Sequence, residues 1–117
     1  MPEPVHPLAE PRPVDGFGPG FFRVAGQVIR GPMLLAPDRV APWAGLDDTG
    51  ALLALAGKVD LLVLGTGSEM ALPPADMVRA LAQVGLAVEP MATEPALRSF
   101  NLLLGDGRRI ALAALPV

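Results

Sequence analysis

The second half of the sequence alternates short apolar runs with segments that carry helix signals, and no other feature constrains the fold as much. Residues 60–65, Asp-Leu-Leu-Val-Leu-Gly, form a continuous apolar run closed by glycine, which is typical of a strand buried on both faces. Further strand-like runs follow at 86–91 and 110–115. Because helices between such strands make β-α-β units, the sequence predicts an α/β fold.

Two helices are predicted between these runs. Pro73-Pro74 occupies the first turn of one helix, where proline is tolerated, and Gly85 ends it. The second helix begins at Thr93-Glu94-Pro95, where the Thr93 hydroxyl is expected to cap a first-turn amide, with ligand contact as its alternative role. A rival interpretation makes residues 99–115 a hairpin around Asp106-Gly107. We prefer the helix, because it continues the β-α-β alternation.

The first half of the sequence is less regular. Residues 1–16 are rich in proline, which removes backbone donors and favours extended geometry, so a flexible tail is predicted there. Residues 21–25 and 28–35 are β-prone and are separated by Gly26-Gln27, which predicts an N-terminal β-hairpin. Since 117 residues suit one domain, we expect a single α/β domain over residues 17–117.

The charge balance argues against a nucleic-acid partner and against attachment to anionic lipid. The formal net charge is -3, whereas proteins that read a phosphate backbone carry clustered lysine and arginine. Only Arg108 and Arg109 are adjacent basic residues, and Lys58 is the sole lysine. No apolar run approaches the roughly 20 residues that cross a bilayer, and the N-terminus lacks signal-peptide character. We therefore expect a cytoplasmic protein without direct membrane insertion.

Side chains that carry common catalytic chemistry are scarce. The sequence has no cysteine, its only histidine is His6, and its only serines are Ser68 and Ser99. A thiolate nucleophile, a cysteine-bound zinc and a disulfide framework are thereby excluded, and a Ser-His-Asp triad has almost no candidates. We assign no catalytic residue, expect no metal and no cofactor, and lean toward a protein that is not an enzyme while leaving that question open.

A candidate site follows the predicted central strand. Gly65, Thr66, Gly67 and Ser68 lie between this strand and a helix, where open α/β sheets form ligand crevices and anion sites. The string is not GxGxxG and lacks the lysine of a phosphate-binding loop. The alternative is a tight turn that needs glycine dihedral angles.

Arg98 is a second candidate, because a cation in the first turns of a helix opposes the helix dipole. One interpretation pairs Arg98 with Glu94 at i,i+4. In the other, Arg98 and Asn101 point into the crevice toward an anion or a carboxylate of a partner. With Thr93, these two residues complete the candidate ligand- or partner-binding set.

Several short strings, taken in order, resemble a known family. They are Val40 to Trp43, the hairpin within 22–31, Leu64-Gly65-Thr66-Gly67, Gly85 to Glu89, Met91-Ala92-Thr93, Ala96 to Asn101 and Gly107-Arg108-Arg109. This ordered set, spanning residues 16–117, resembles a family of short, largely uncharacterised proteins. Its members include mitochondrial complex I assembly factor three and a human adipogenesis-associated protein.

The resemblance implies a three-layer α/β fold with a mixed central sheet and two main helices, and it implies no settled catalytic activity. One departure is Pro90, where the family pattern would have a β-prone residue, so the interior position of the strand over 86–91 stays open.

We therefore expect a non-enzymatic binding or assembly protein with a protein partner, linked by the resemblance to respiratory complex I subunits or assembly factors. The alternative is a small-ligand, anion-binding protein or a cryptic enzyme that uses the crevice after the central strand. A third alternative is a homodimer that buries its own apolar surface.

Overall fold

A mixed sheet of six strands forms the middle of the fold in the computed structural model, which describes residues 5–117. The strands in chain order are β1 (His6–Pro7), β2 (Gly16–Gly18), β3 (Phe21–Val24), β4 (Gln27–Arg30), β5 (Met33–Ala36), β6 (Arg39–Pro42), β7 (Leu61–Gly65), β8 (Ala87–Met91) and β9 (Ile110–Ala114). The helices are α1 (Thr49–Leu53), α2 (Ala75–Gln83) and α3 (Thr93–Gly105).

The large sheet has the strand order β1-β6-β5-β9-β7-β8, and β2, β3 and β4 form a separate small sheet. Strand β7 runs parallel to β8 and β9, whereas β5 is antiparallel to both β6 and β9. The predicted mixed central sheet is confirmed. The apolar run of β7 lies between two strands, as its lack of polar residues indicated.

Side chains alternate between the two faces of the large sheet, and each face carries its own apolar core. In β9, Leu112 belongs to one core and Ala113 to the other. Helix α3 and the small sheet cover the first face, through Phe100 and Phe22 respectively. Helices α1 and α2 cover the second face, with Leu81 of α2 fully buried there. The predicted three-layer α/β fold is therefore confirmed.

Both main helices are confirmed close to their predicted ends. Helix α2 follows Pro74 directly, and Gly85 beyond its end has a φ of +81°, which glycine adopts without strain. The segment from Thr93 is helix α3 instead of the rival hairpin. A short helix, α1, precedes them, and the Asp48 side chain caps it by accepting from the Ala51 N–H at 3.2 Å.

The predicted N-terminal hairpin is confirmed as β3 and β4, joined by a turn in which Ala25 and Gly26 both have positive φ. The β-prone run over 28–35 is divided, because β4 and β5 belong to different sheets. Gly31, with a φ of +79°, and Pro32, which has no N–H, separate them. The first half of the chain therefore forms the small sheet and also one edge of the large sheet.

The segment over 1–16 was predicted as a flexible tail, and residues 1–4 of it lie outside the described residues. His6 pairs with Val40 in antiparallel register. Val14 is buried in the core that α3 and the small sheet share, and strand β2 already begins at Gly16. These contacts join residues far apart in sequence, so local composition gave no sign of them. The flexibility of this segment in solution stays a prediction.

Pro90 lies in β8, which is an edge strand of the large sheet. The Ala87 N–H donates to the Asp60 carbonyl at 3.4 Å, and the Met91 carbonyl accepts from the Thr66 N–H at 2.9 Å. The backbone N–H and carbonyl groups of residues 87 and 91 therefore point toward β7. Because these groups alternate in direction along a strand, those of position 90 point toward the free edge. The missing donor of Pro90 breaks no ladder bond there, which explains the departure from a β-prone residue.

Within residues 5–117, no helix is both long and apolar enough to cross a membrane.

Candidate functional site

The string Gly65 to Ser68 forms a turn with its own hydrogen bonds. The Thr66 hydroxyl donates to the Glu69 carbonyl at 2.8 Å and accepts from the Ala71 N–H at 3.0 Å. Gly67 has a φ of +102°, a conformation that favours glycine. These contacts match the tight-turn interpretation of this string.

Gly65 is required by close packing at the end of β7. A Cβ atom at this position would lie 2.9 Å from the Thr93 Oγ1, 3.1 Å from the Thr93 Cα and 3.2 Å from the Ala114 Cβ. Helix α3 therefore begins in contact with the backbone of β7. The absence of a Cβ at Gly65 allows this close approach. The space beside Gly65 is occupied by protein atoms.

Thr93 does not cap helix α3 as predicted. The N-cap residue is Ala92, which makes no side-chain cap bond, and Thr93 is the first helical residue. Its hydroxyl accepts from the Gly67 N–H at 2.9 Å and donates to the Leu115 carbonyl at 2.6 Å. The prediction was wrong because the helix begins one residue earlier, which directs the Thr93 hydroxyl to the ends of β7 and β9. This fully buried hydroxyl joins three segments of the chain.

Arg98 forms the i,i+4 ion pair with Glu94, with Nη1 and Oε1 3.2 Å apart. The two side chains are 68% and 63% exposed, so the pair contributes at most about 1 kcal/mol. The pair leaves the guanidinium open to solvent and available to a further contact.

Asn101 fastens the N-terminal segment to helix α3. Its Oδ1 accepts from the Val14 N–H and its Nδ2 donates to the Val14 carbonyl, both at 2.9 Å. The amide thereby satisfies both backbone groups of one residue, as a neighbouring strand would. Asn101 is a positioning residue for the segment that lies beside Arg98.

A cavity of about 270 Å³ lies where this segment meets helix α3. It is lined by Val14, Asp15, Gly16, Phe17, Glu94, Leu97, Arg98 and Asn101. The structure therefore brings Arg98 and Asn101 together at one cavity. Residues 65–68 do not line this cavity, so the predicted set divides into two groups: the turn with Thr93, and the cavity with Arg98 and Asn101.

Residues 14–115 match a protein family described as "Protein of unknown function (DUF498/DUF598)". The chain belongs to this family. The match includes the small sheet, all three helices and the segment that lines the cavity beside Arg98.

Relatives of this DUF498/DUF598 chain include proteins with and without a described role. An uncharacterized protein of Rhodobacter capsulatus is 49% identical over 105 residues, which cover 90% of this chain and 85% of that protein. The human NADH dehydrogenase [ubiquinone] 1 alpha subcomplex assembly factor 3 is 27% identical over 110 residues, covering 88% of this chain. The matched region spans only 60% of the human protein's length.

Solved structures share the fold of this DUF498/DUF598 chain. The crystal structure of an outer membrane protein from Bartonella henselae superposes with a TM-score of 0.83 at 27% identity. The superposition covers 92% of this chain and 97% of that one. The shared architecture therefore extends over nearly the whole of that bacterial chain.

The residues that sequence reasoning missed in this DUF498/DUF598 chain are those over 14–17. Residues 14–16 were assigned to the predicted proline-rich tail and Phe17 to the start of the predicted domain, yet together they form one wall of the cavity. Phe17 is 40% exposed there, beside the charged groups Asp15, Glu94 and Arg98. A partly exposed aromatic ring among charges of both signs suits recognition of another polar surface better than bond-making chemistry.

Proposed function

We propose that this protein binds a protein partner and assists assembly of a multi-subunit respiratory enzyme. The observation that carries the proposal is the similarity to the human assembly factor 3, which extends over 88% of this chain. The name of that protein describes a role in assembling NADH dehydrogenase. The scarcity of catalytic side chains supports binding over catalysis.

The surface proposed for the partner is the cavity wall formed by Phe17, Glu94 and Arg98, called here the Arg98 surface. Phe17 offers apolar area at low conformational cost, and Arg98 offers donors that suit a carboxylate. Asn101 holds the segment that carries Phe17 against α3. We therefore assign recognition to Arg98 and Phe17, and positioning to Asn101.

A quantitative pull-down of the tagged full chain from its native host, in mild detergent, tests this function. Arg98→Ala is compared with Arg79→Ala, a matched control on helix α2. Both arginines pair with an acid of their own helix, and their side chains are 68% and 69% exposed. The two substitutions remove the same charge at nearly the same exposure, so a difference between them reports on position.

Wild type and Arg79→Ala should recover respiratory-complex subunits or assembly factors. Arg98→Ala should recover at least about fivefold less, because residues that matter at an interface contribute more than about 1 kcal/mol. Equal recovery of partner proteins by the two variants would contradict the assignment of the Arg98 surface as the binding surface. Recovery of no specific partner by the wild type would contradict the binding function itself.

We also propose a cytoplasmic location and, as a further partner, a second copy of the chain. Fractionation of the host with the untagged protein tests the location, since a protein retained in the membrane after salt washing would contradict it. Light scattering tests self-association, and a mass near that of one chain would exclude the homodimer.

A second candidate function is binding of a small anionic ligand, or a cryptic enzyme activity, in the cavity beside Arg98 and Asn101. The volume of about 270 Å³ favours it, because it approaches the lower size of ligand pockets. A ligand at about 100 times its Kd should stabilise the fold by about 2.7 kcal/mol. A thermal-shift screen of metabolites should then find a ligand whose effect Arg98→Ala reduces, and a screen without hits would count against this function.

A further inference from the structure

A second cavity, of about 380 Å³, collects basic residues that lie far apart in the sequence. Its lining consists of Pro11, Pro37, Lys58, Leu104, Gly107, Arg108 and Arg109. The lining includes the sole lysine of the chain and its only adjacent pair of arginines. Among the lining residues within 5–117, three are cationic and none is acidic, although the whole chain has a net charge of -3.

Backbone and side-chain contacts hold the two turns that carry these cations together. The Arg109 guanidinium donates to the Gly57 carbonyl at 2.8 Å, and the Asp60 N–H donates to the Arg109 carbonyl at 2.9 Å. The two turns contain Gly57 and Gly107, which both have a φ of +79°. The cations are therefore brought to one cavity by the fold, before any ligand arrives, and this arrangement lowers the cost of binding.

The existing ion pairs leave the cavity able to accept an anion. The Lys58 Nζ lies 3.6 Å from the Asp38 carboxylate, and the Arg109 Nε lies 3.9 Å from the Asp60 carboxylate. These separations are long and the side chains are about half exposed or more, so both pairs are weak. Arg108 makes no ion pair with any residue over 5–117. An incoming anion would therefore meet Arg108, which has no ion pair, and Lys58 and Arg109, whose ion pairs are weak.

We propose that this cavity, called here the Arg108 cavity, binds a small anionic oxygen group, a phosphate or a carboxylate. Guanidinium groups offer paired donors that match either group, and the lysine ammonium adds a compact charge. The group can belong to a free small molecule or to a lipid headgroup. The inference is independent of the proposed partner binding, since none of the cavity's lining residues lines the Arg98 cavity.

Amide NMR of the full chain, titrated with inorganic phosphate and with citrate, tests the free-anion source. Each titration is repeated with sodium chloride at equal ionic strength, because screening alone shifts exposed residues. The amides of Gly107, Arg108 and Arg109 should shift saturably. Arg108→Ala should raise the Kd by at least about fivefold, because the guanidinium would donate charge-assisted hydrogen bonds to the anion. Arg79→Ala, which removes the same charge from α2, should leave the Kd unchanged.

Co-sedimentation with phosphatidylcholine vesicles, with and without phosphatidylglycerol, tests the lipid source. Binding that needs phosphatidylglycerol and is lost in Arg108→Ala assigns the headgroup as the ligand. Saturable shifts without vesicle binding assign a free anion. The proposal is overturned if neither probe binds, or if Arg108→Ala and Arg79→Ala weaken binding equally. Since Arg108 has no side-chain bond within the described residues, its loss should not unfold the chain, and unchanged amide dispersion checks this.

Discussion

Replacing Thr93 with valine tests whether one buried hydroxyl fastens the end of the central sheet to helix α3. Valine keeps the approximate volume of threonine and replaces the hydroxyl with a methyl group. The Gly67 N–H and the Leu115 carbonyl, which contact this oxygen at 2.9 and 2.6 Å, would then lose their partner. The backbone bond from the Thr93 N–H to the Gly67 carbonyl, at 2.8 Å, would remain.

The expected loss of stability is about 2 kcal/mol. Each hydrogen bond contributes about 1 kcal/mol net, and an unsatisfied buried group costs about 1–3 kcal/mol. The Gly67 and Leu115 residues are only partly buried, so water replaces some of the loss and the low end of that range applies. With an unfolding entropy of about 0.25 kcal/mol/K for 117 residues, the midpoint Tm should fall by about 8 °C.

Urea and thermal unfolding, followed by circular dichroism, measure this change. Thr66→Val is the matched control. The Thr66 hydroxyl lies 3.2 Å from the Met91 carbonyl, which keeps its bond from the Thr66 N–H. Its other two bonds, from the Ala71 N–H and to the Glu69 carbonyl, are exposed. We expect that variant to lose about 0.5 kcal/mol, since water satisfies both groups. Thr93→Ser keeps the hydroxyl and removes one methyl, so it should lose about 1 kcal/mol.

An equal loss in Thr93→Val and Thr66→Val would refute the reasoning. Burial of the Thr93 hydroxyl would then have no energetic consequence. A larger loss in Thr93→Ser than in Thr93→Val would also refute it, because packing of the methyl group would then outweigh both hydrogen bonds.

Two further substitutions test neighbouring contacts. Gly65→Ala should lose about 1–3 kcal/mol in urea unfolding through overpacking against Thr93 and Ala114, and a neutral effect would contradict the close approach of α3 to β7. Asn101→Ala should lose about 2 kcal/mol, since both Val14 backbone groups lose a partner, and hydrogen exchange over residues 8–16 should accelerate; unchanged exchange there would contradict its positioning role.

The elements that the sequence predicted well are those whose signals are local. Strand β7 is a continuous apolar run, and α2 begins after Pro74 and ends before Gly85. In each case the residues that define the element lie within a few positions of one another. The mixed sheet and the three layers came from the family resemblance, since strand order depends on contacts between distant segments.

The candidate site was less predictable, because the contacts of Thr93 and Asn101 join residues far apart in the sequence. Thr93 contacts Gly67 and Leu115, and Asn101 contacts Val14, 87 positions away. A threonine before a helix has the same local pattern whether it caps the helix or bonds to a distant strand. The two outcomes are separated only by the beginning of α3 at Thr93, with Ala92 as the N-cap, where Thr93 packs against Gly65.

Helix α3 connects the two proposed binding surfaces, with Arg98 lining one cavity and Leu104 the other. Six positions along a helix correspond to about 9 Å, so the two cavities are separate yet share one rigid element. Energetic effects at that separation are additive when no partner is shared. A partner held at the Arg98 surface and an anion held in the Arg108 cavity can therefore bind together, and loss of either leaves the other intact. This independence would let one small α/β fold carry both of the proposed sites.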